Sequence, residues 1–105
     1  MFRRLALALP EATEGAHGGH PDFRVGNKVF ASLGAPDAGA GMVKLTPEQQ
    51  EMVMGAEPAV FTPSAGAWGR RGYTRVHLAA ATQPTLESAL AMAWRNTAPK
   101  RISAP

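Results

Sequence analysis

The pair Gly26 and Asn27 constrains the fold of this chain most, because it separates two segments that both favour β-strand. Residues 22–25 alternate strictly between polar and apolar side chains, as does a strand with one buried face. Residues 28–33 are the expected return strand, since Gly and Asn both tolerate the positive φ of a two-residue turn. The sequence therefore predicts a tight hairpin within an antiparallel sheet.

Three further segments are typical of strands. A loop from Gly34 to Gly41, which contains Pro36 and Asp37, is short enough to join neighbouring strands. The segments predicted as strands are residues 42–45, 59–62 and 73–78. The first of these extends the hairpin into a three-stranded meander, and the other two form a second hairpin.

The two ends of the chain each predict a helix with one apolar stripe. The first helix covers residues 2–9 and ends at Pro10, and its stripe is Phe2, Leu5, Ala6 and Leu9. The last helix is expected to begin at Thr85, a favourable N-cap residue, and to end before Pro99. Its stripe is Leu86, Leu90, Ala93 and Trp94.

The middle helix has the clearest start signal. Thr46 can cap the helix, Pro47 suits its first position, and Gln49 completes a capping box. Gly55 weakens the last turn, so that the helix is expected to end near Glu57 and Pro58. The apolar stripe is expected to consist of Met52, Val53 and Ala56.

These elements define one domain and its architecture. A chain of 105 residues has room for one hydrophobic core, so residues 1–105 are expected to form a single domain. The element order predicts a two-layer α+β fold, with a five-stranded antiparallel sheet, helices on one face, and the order α-β(3)-α-β(2)-α.

The second hairpin contains the candidate binding residues. Alternation along its last strand directs Thr74, Val76 and Leu78 into the core, and places Tyr73, Arg75 and His77 together on the opposite face. The preceding segment, with glycines at 66, 69 and 72, is expected to form a flexible tip. The predicted nucleic-acid-binding residues are Trp68, Arg70, Arg71, Tyr73, Arg75 and His77, since arginines neutralise phosphates and aromatic rings stack on bases.

Composition excludes several kinds of chemistry. Cysteine is absent, which rules out disulfides, thiolate nucleophiles and cysteine-ligated metals and suits a reducing cytoplasm. His17 and His20 lack an evident third ligand, and no serine lies in a G-x-S-x-G segment. We therefore expect a cytoplasmic protein that is not an enzyme and that needs neither metal nor cofactor.

The expected partners follow from charge and from the open sheet face. The formal charge of +3 is compatible with nucleic acid, although it is too small to indicate a polyanion by itself. The alternative is a protein–protein or homodimer interface on the same face, since aromatic and arginine residues favour interfaces. No apolar stretch approaches the roughly twenty residues of a membrane span, so no membrane partner is expected.

The chain also resembles the MmcQ/YjbR family over nearly its whole length. The resemblance is carried, in order, by Leu9-Pro10-Glu11, His20-Pro21-Asp22-Phe23-Arg24-Val25, Lys28-Val29-Phe30-Ala31, Val43-Lys44-Leu45, Trp68-Gly69, Gly72-Tyr73, Ala93-Trp94-Arg95 and Ala98-Pro99-Lys100-Arg101. It implies the α-β(3)-α-β(2)-α fold and, as a hypothesis, the DNA-binding role with which the family is commonly labelled. Tyr73 stands where the family usually has Trp, and the first helix is shorter than usual.

Overall fold

The computed structural model describes residues 1–34 and 39–102, so residues 35–38 of the predicted loop, with Pro36 and Asp37, lie outside the described part. In chain order the elements are α1 (Phe2–Leu7), β1 (Thr13–His17), β2 (His20–Val25), β3 (Lys28–Leu33), β4 (Ala40–Lys44), α2 (Pro47–Ala56), β5 (Phe61–Pro63), α3 (Gly66–Arg70), β6 (Tyr73–His77), a 3-10 turn (Leu78–Ala80) and α4 (Gln83–Thr97).

The strands form one antiparallel sheet in the order β1-β2-β3-β4-β6-β5. The predicted α+β class and the antiparallel sheet are confirmed, but the described residues form six strands where five were predicted. The additional strand is β1, which occupies an edge of the sheet and pairs with β2 through the register Gly15 to Asp22. Most of its residues are exposed, so the sequence shows no apolar alternation there.

The predicted turn at Gly26 and Asn27 is confirmed. Both residues have positive φ, 59° and 64°, and Val25 pairs directly with Lys28 across the turn. The β2–β3 register is irregular between Phe23 and Arg24, on the strand that precedes the turn. The predicted hairpin is therefore present as β2 and β3, the second and third strands of the sheet.

The core lies between the sheet and the two terminal helices. Phe23, Phe30 and Val76 are fully buried on the sheet, and the α4 stripe predicted from the sequence, Leu86, Leu90, Ala93 and Trp94, is buried against it. The indole Nε1 of Trp94 donates to the carbonyl oxygen of Pro10 at 2.9 Å. This hydrogen bond joins the last helix to the turn that follows the first.

Two predictions about helices were wrong in detail. The last helix is capped by Thr82, whose hydroxyl accepts from the backbone N–H of Thr85, and not by Thr85. Pro84 lies in the first turn, where a missing N–H costs nothing, so the helix begins earlier than its apolar stripe suggests.

On α2 the predicted capping box at Thr46 and Gln49 is confirmed, whereas only Val53 of the predicted apolar stripe is buried. The buried residues are Gln50 and Val53, whereas Met52 is 58% exposed and Ala56 is also exposed. The buried face is the one that places the Gln50 amide against backbone carbonyl groups, which a pattern based on hydrophobicity does not anticipate.

Candidate nucleic-acid interface

The sheet face opposite α1 and α4 carries a groove of about 890 Å³, which we call the open-face groove. A row of register partners crosses its floor, with Ser32 beside Met42, Met42 beside Arg75, and Arg75 beside Thr62. The floor therefore combines side chains from four adjacent strands, β3, β4, β6 and β5. Such a concave surface with mixed apolar and polar walls is of a size that binds ligands.

The predicted alternation of β6 is confirmed. Tyr73, Arg75 and His77 are half-buried and line the open-face groove, whereas Thr74 and Val76 are fully buried on the core side. Leu78, which was predicted to continue the core stripe, instead begins the 3-10 turn and is half-buried against the core.

An aromatic and cationic stack stands at the α3 end of the groove. The Trp68 and Tyr73 ring centroids are 5.0 Å apart, with an angle of 31° between the planes. The Arg71 guanidinium carbon lies 5.2 Å from the Trp68 ring centre, and the Lys44 ammonium lies 5.1 Å from the Tyr73 ring centre. Trp68 is 54% exposed, so its indole is a solvent-facing platform with the Arg71 guanidinium over its ring.

The segment that presents Trp68 is a short helix rather than the flexible tip that was predicted. Gly72 has φ of 104°, and a Cβ there would collide with the backbone of Leu45 and Thr46. A Cβ at Gly69 would collide with the backbone oxygen of Ser64. The glycines in this segment therefore serve close backbone packing, which fixes α3 against the sheet.

The remaining predicted site residues divide into two groups. Arg75 and His77 line the groove, and the His77 Nε2 lies 3.0 Å from the hydroxyl of Thr62. Arg70 is exposed on α3 outside the groove lining, on the helix that carries Trp68. The structure thus brings Trp68, Tyr73, Arg75 and His77 to the groove lining. Arg71 lies over the Trp68 ring outside that lining, and Arg70 stays at the margin.

Lys44 is a groove residue that the sequence analysis did not select. It occupies β4 directly beside Tyr73 of β6, and this pairing becomes visible only when the two distant strands are aligned. A signal was present, because Met42 and Lys44 alternate with buried Val43. Lys100 and Arg101 do not line the groove, and Arg101 lies 3.9 Å from Glu11.

A second polar cluster lies on the first two strands. Asp22 is completely buried, and its carboxylate accepts hydrogen bonds from Arg24 Nε at 2.7 Å and from Arg24 Nη2 at 3.0 Å. The same carboxylate lies 2.7 Å from Nδ1 of His17, whose ring is 62% exposed and lines the groove. The hydrogen bonds from Arg24, and to a smaller extent the one from His17, lower the pKa of Asp22 to about 2 against the opposing effect of burial.

Residues 1–34 and 39–102 contain no group of three or more histidine or acidic side chains arranged to hold a metal ion. None of the helices in the same residues has the length and apolar character needed to cross a membrane.

The fold and the groove define a small α+β protein with an aromatic and cationic surface on an open sheet. The family model of YjbR matches residues 7–96, and the chain belongs to this family, as the sequence resemblance indicated. The structure is similar to the crystal structure of protein DR2400 of Deinococcus radiodurans, which contains a DUF419 domain. The TM-score is 0.76 at 19% identity, over 96% of this chain and 78% of that chain. The search of curated proteins found no match.

Proposed function

We propose that this chain is a non-enzymatic binding protein that holds single-stranded nucleic acid in the open-face groove. The observation that carries the proposal is the stack of Trp68 on Tyr73, flanked by Arg71 and Lys44, at one end of a groove of about 890 Å³. Sheet surfaces with exposed aromatic rings bind unpaired bases by stacking, and neighbouring cations bind the phosphates.

The stacking step rests on the accessibility of Trp68. More than half of its surface faces solvent, whereas Trp94 is 1% exposed in the core. An indole held in place by Tyr73 loses little conformational freedom when a base stacks on it. Arg71 is a long, exposed side chain that can move from the indole to a phosphate when a base arrives.

The electrostatic step rests on where the basic residues lie. Lys44 and Arg75 line the groove, Arg71 lies beside Trp68, and Arg70 extends from the same helix. The formal charge of the chain is only +3, so this local grouping matters more than the total charge. We further propose that the protein acts in the cytoplasm, which is consistent with the absence of cysteine.

Fluorescence anisotropy with labelled single-stranded oligonucleotides, DNA and RNA, tests the proposal. We expect Trp68→Ala to weaken binding about fivefold or more, because stacking on an aromatic ring contributes about 1–3 kcal/mol per base. We expect the double variant Arg70→Ala/Arg71→Ala to weaken binding and to reduce the dependence of affinity on salt between about 50 and 200 mM. Circular dichroism of each variant verifies that the fold is retained.

Matched controls lie outside the groove. Arg4 is exposed on α1 and Met52 is exposed on α2, so Arg4→Ala and Met52→Ala should bind as the unmodified protein does. Equal, weak affinity for all variants at low salt would overturn the proposal. Association that persists in high salt, with a doubled mass in solution and no oligonucleotide affinity, would instead indicate the homodimer interface that is the alternative use of this face.

A further inference from the structure

We infer that His17, held by the buried carboxylate of Asp22, is an anion-binding residue at the far end of the open-face groove, where it contacts a backbone phosphate of the bound strand. This inference rests on the proposed function and extends the site to the first strand of the sheet. Among the described residues, His17 is the one histidine that both lines the groove and has its ring hydrogen-bonded to a fully buried carboxylate.

The geometry fixes which ring nitrogen faces a ligand. The ionised carboxylate of Asp22 can only accept hydrogen bonds, so Nδ1 of His17, 2.7 Å away, carries a proton. The opposite nitrogen, Nε2, is therefore the one that this arrangement leaves for a ligand. It donates a hydrogen bond to an anion when the ring is protonated, and a protonated ring adds a positive charge to the groove.

The cost of keeping Asp22 buried suggests that the arrangement has a use. A buried carboxylate is unfavourable unless it is paired, and Arg24 provides a bidentate partner for it. The two charges of Asp22 and Arg24 offset one another, so the ring of His17 sets the net charge of this cluster. Because one ring edge is bonded to a buried group, His17 is oriented although 62% of its side chain is exposed.

The charged and titratable neighbours of His17 come from a small part of the sheet. β1 is an edge strand, and β2 beside it contributes Asp22, Arg24 and His20. On β1 itself Glu14 pairs with Arg3 of α1 at 3.0 Å. The other titratable side chains on the groove lining are Lys44, Tyr73, Arg75 and His77. No lining residue comes from β2 in the described part of the chain, so His17 is the groove-lining side chain that can present an N–H donor to an anion at this end.

The spacing of the strands gives the length of the ligand. Four neighbouring-strand steps separate β1 from β6, or about 19 Å at the usual spacing of about 4.8 Å. A single strand covers this distance with about four to six nucleotides, taking about 3.4 Å per stacked nucleotide as the lower limit of its rise. A dinucleotide stacked on Trp68 would be too short to contact His17 as well.

The test compares His17→Gln with His20→Gln. His20 pairs directly with His17 across the β1–β2 turn but does not line the groove, which makes it a matched control. Anisotropy with an octathymidylate at about pH 6 should show a loss of affinity of about fivefold or more for His17→Gln and no loss for His20→Gln. A dinucleotide, which is too short to reach both Trp68 and His17, should not distinguish the two variants.

The possible outcomes separate a failure of this inference from a failure of the proposed function. If both variants bind the octathymidylate as tightly as the unmodified protein at about pH 6, the inference is wrong while the proposed function stands. If the unmodified protein binds no oligonucleotide, the proposed function fails. The anion contact of His17 can then be tested separately, by NMR of the histidine ring signals during titration with inorganic triphosphate. A shift confined to His17 supports it, and unchanged His17 signals overturn it.

Discussion

The side-chain amide of Gln50 donates a hydrogen bond to the backbone carbonyl of Gly69 at 3.1 Å, across 19 positions of sequence. The same nitrogen lies 3.0 Å from the carbonyl of Tyr73 and 3.2 Å from the hydroxyl of Thr74. The Thr74 hydroxyl donates its own hydrogen to the carbonyl of Gly72 at 2.7 Å, which leaves its oxygen to accept from Gln50. One buried amide of α2 thereby fixes both ends of the turn that presents Trp68 to the groove.

Replacing Gln50 by leucine should destabilise the protein by about 1–2 kcal/mol, because the hydrogen bonds of the amide are lost and each contributes about 1 kcal/mol. The carbonyl groups of Gly69 and Tyr73 each keep a backbone donor, from Gly72 and Ser64. We also expect Trp68 to become more mobile, since the turn between α3 and β6 loses its link to α2. Urea unfolding followed by circular dichroism measures the first effect, and the fluorescence anisotropy decay of Trp68 measures the second.

The neighbouring residue provides the control for this variant. Glu51 is exposed on the same helix, so Glu51→Leu makes a comparable change of polarity without removing a buried hydrogen bond. We expect its free energy of unfolding to stay within about 0.5 kcal/mol of the unmodified protein. Equal stability of Gln50→Leu and Glu51→Leu would show that the amide does not hold the turn.

Replacing Gly69 by alanine and replacing Gly55 by alanine should change the free energy of unfolding in opposite directions. A Cβ at Gly69 would collide with the backbone oxygen of Ser64, which cannot move without displacing β5, so Gly69→Ala should destabilise by about 1–3 kcal/mol. Gly55 lies within α2 with open space around its Cα, so Gly55→Ala should stabilise by about 0.5–1 kcal/mol. Thermal unfolding of both variants measures the two changes, and a lower melting temperature for Gly55→Ala would contradict the helix argument.

Local patterns were enough to predict much of the fold. The turn at Gly26 and Asn27 and the capping box at Thr46 and Gln49 depend on residues within a few positions, and both are as expected. The alternation of β6 correctly separated Tyr73, Arg75 and His77 from the core. Each of these features follows from backbone geometry that neighbouring residues determine by themselves.

The missed features depend on tertiary contacts. β1 was not predicted, because an exposed edge strand is held by backbone pairing and needs no apolar alternation. The buried face of α2 was assigned to Met52, Val53 and Ala56, of which only Val53 is buried. The hydrogen bonds that favour burial of Gln50 instead are made to α3 and β6. The segment around Trp68 was expected to be flexible, since its glycines could not be recognised as sites of close packing.

The same reasoning explains which parts of the candidate site the sequence contained. Arg71 and Trp68 are three positions apart on and after a short helix, so their contact is local. Lys44 reaches Tyr73 only because β4 pairs with β6, and His17 joins the groove only because β1 exists. The segment around Trp68 and Arg71, which is rich in aromatic and basic residues, could therefore be found from the sequence, whereas the groove could not.

The lowered pKa of Asp22 predicts how the stability of the fold depends on pH. Hydrogen bonds from Arg24 hold the pKa near 2 in the folded protein, against 3.8 as the ordinary value. Ionised Asp22 therefore stabilises the fold above about pH 4, and this contribution is lost as the pH falls through the interval towards 2. Solvent around the partly exposed Arg24 reduces the contribution to about 1–2 kcal/mol.

Asp22→Asn should therefore be less stable than the unmodified protein at about pH 7 and should approach it in stability near about pH 2. Urea unfolding at a series of pH values measures the difference, with Glu87→Gln, an exposed change on α4, as the control. A difference between Asp22→Asn and the unmodified protein that stays constant over the whole range would show that ionisation of Asp22 does not supply the stability.

The two tryptophans differ enough in exposure to report separately on the groove. Trp68 is 54% exposed and Trp94 is 1% exposed, so acrylamide should quench the emission of Trp68 and leave that of Trp94 nearly unchanged. Trp68→Phe should remove most of the quenchable emission while retaining an aromatic ring next to Tyr73. An octathymidylate should shield Trp68 from acrylamide in the unmodified protein, because a stacked base covers the exposed indole. An anisotropy titration first establishes that the octathymidylate saturates the protein. If acrylamide then quenches Trp68 as strongly as in the free protein, the strand binds without contacting this ring.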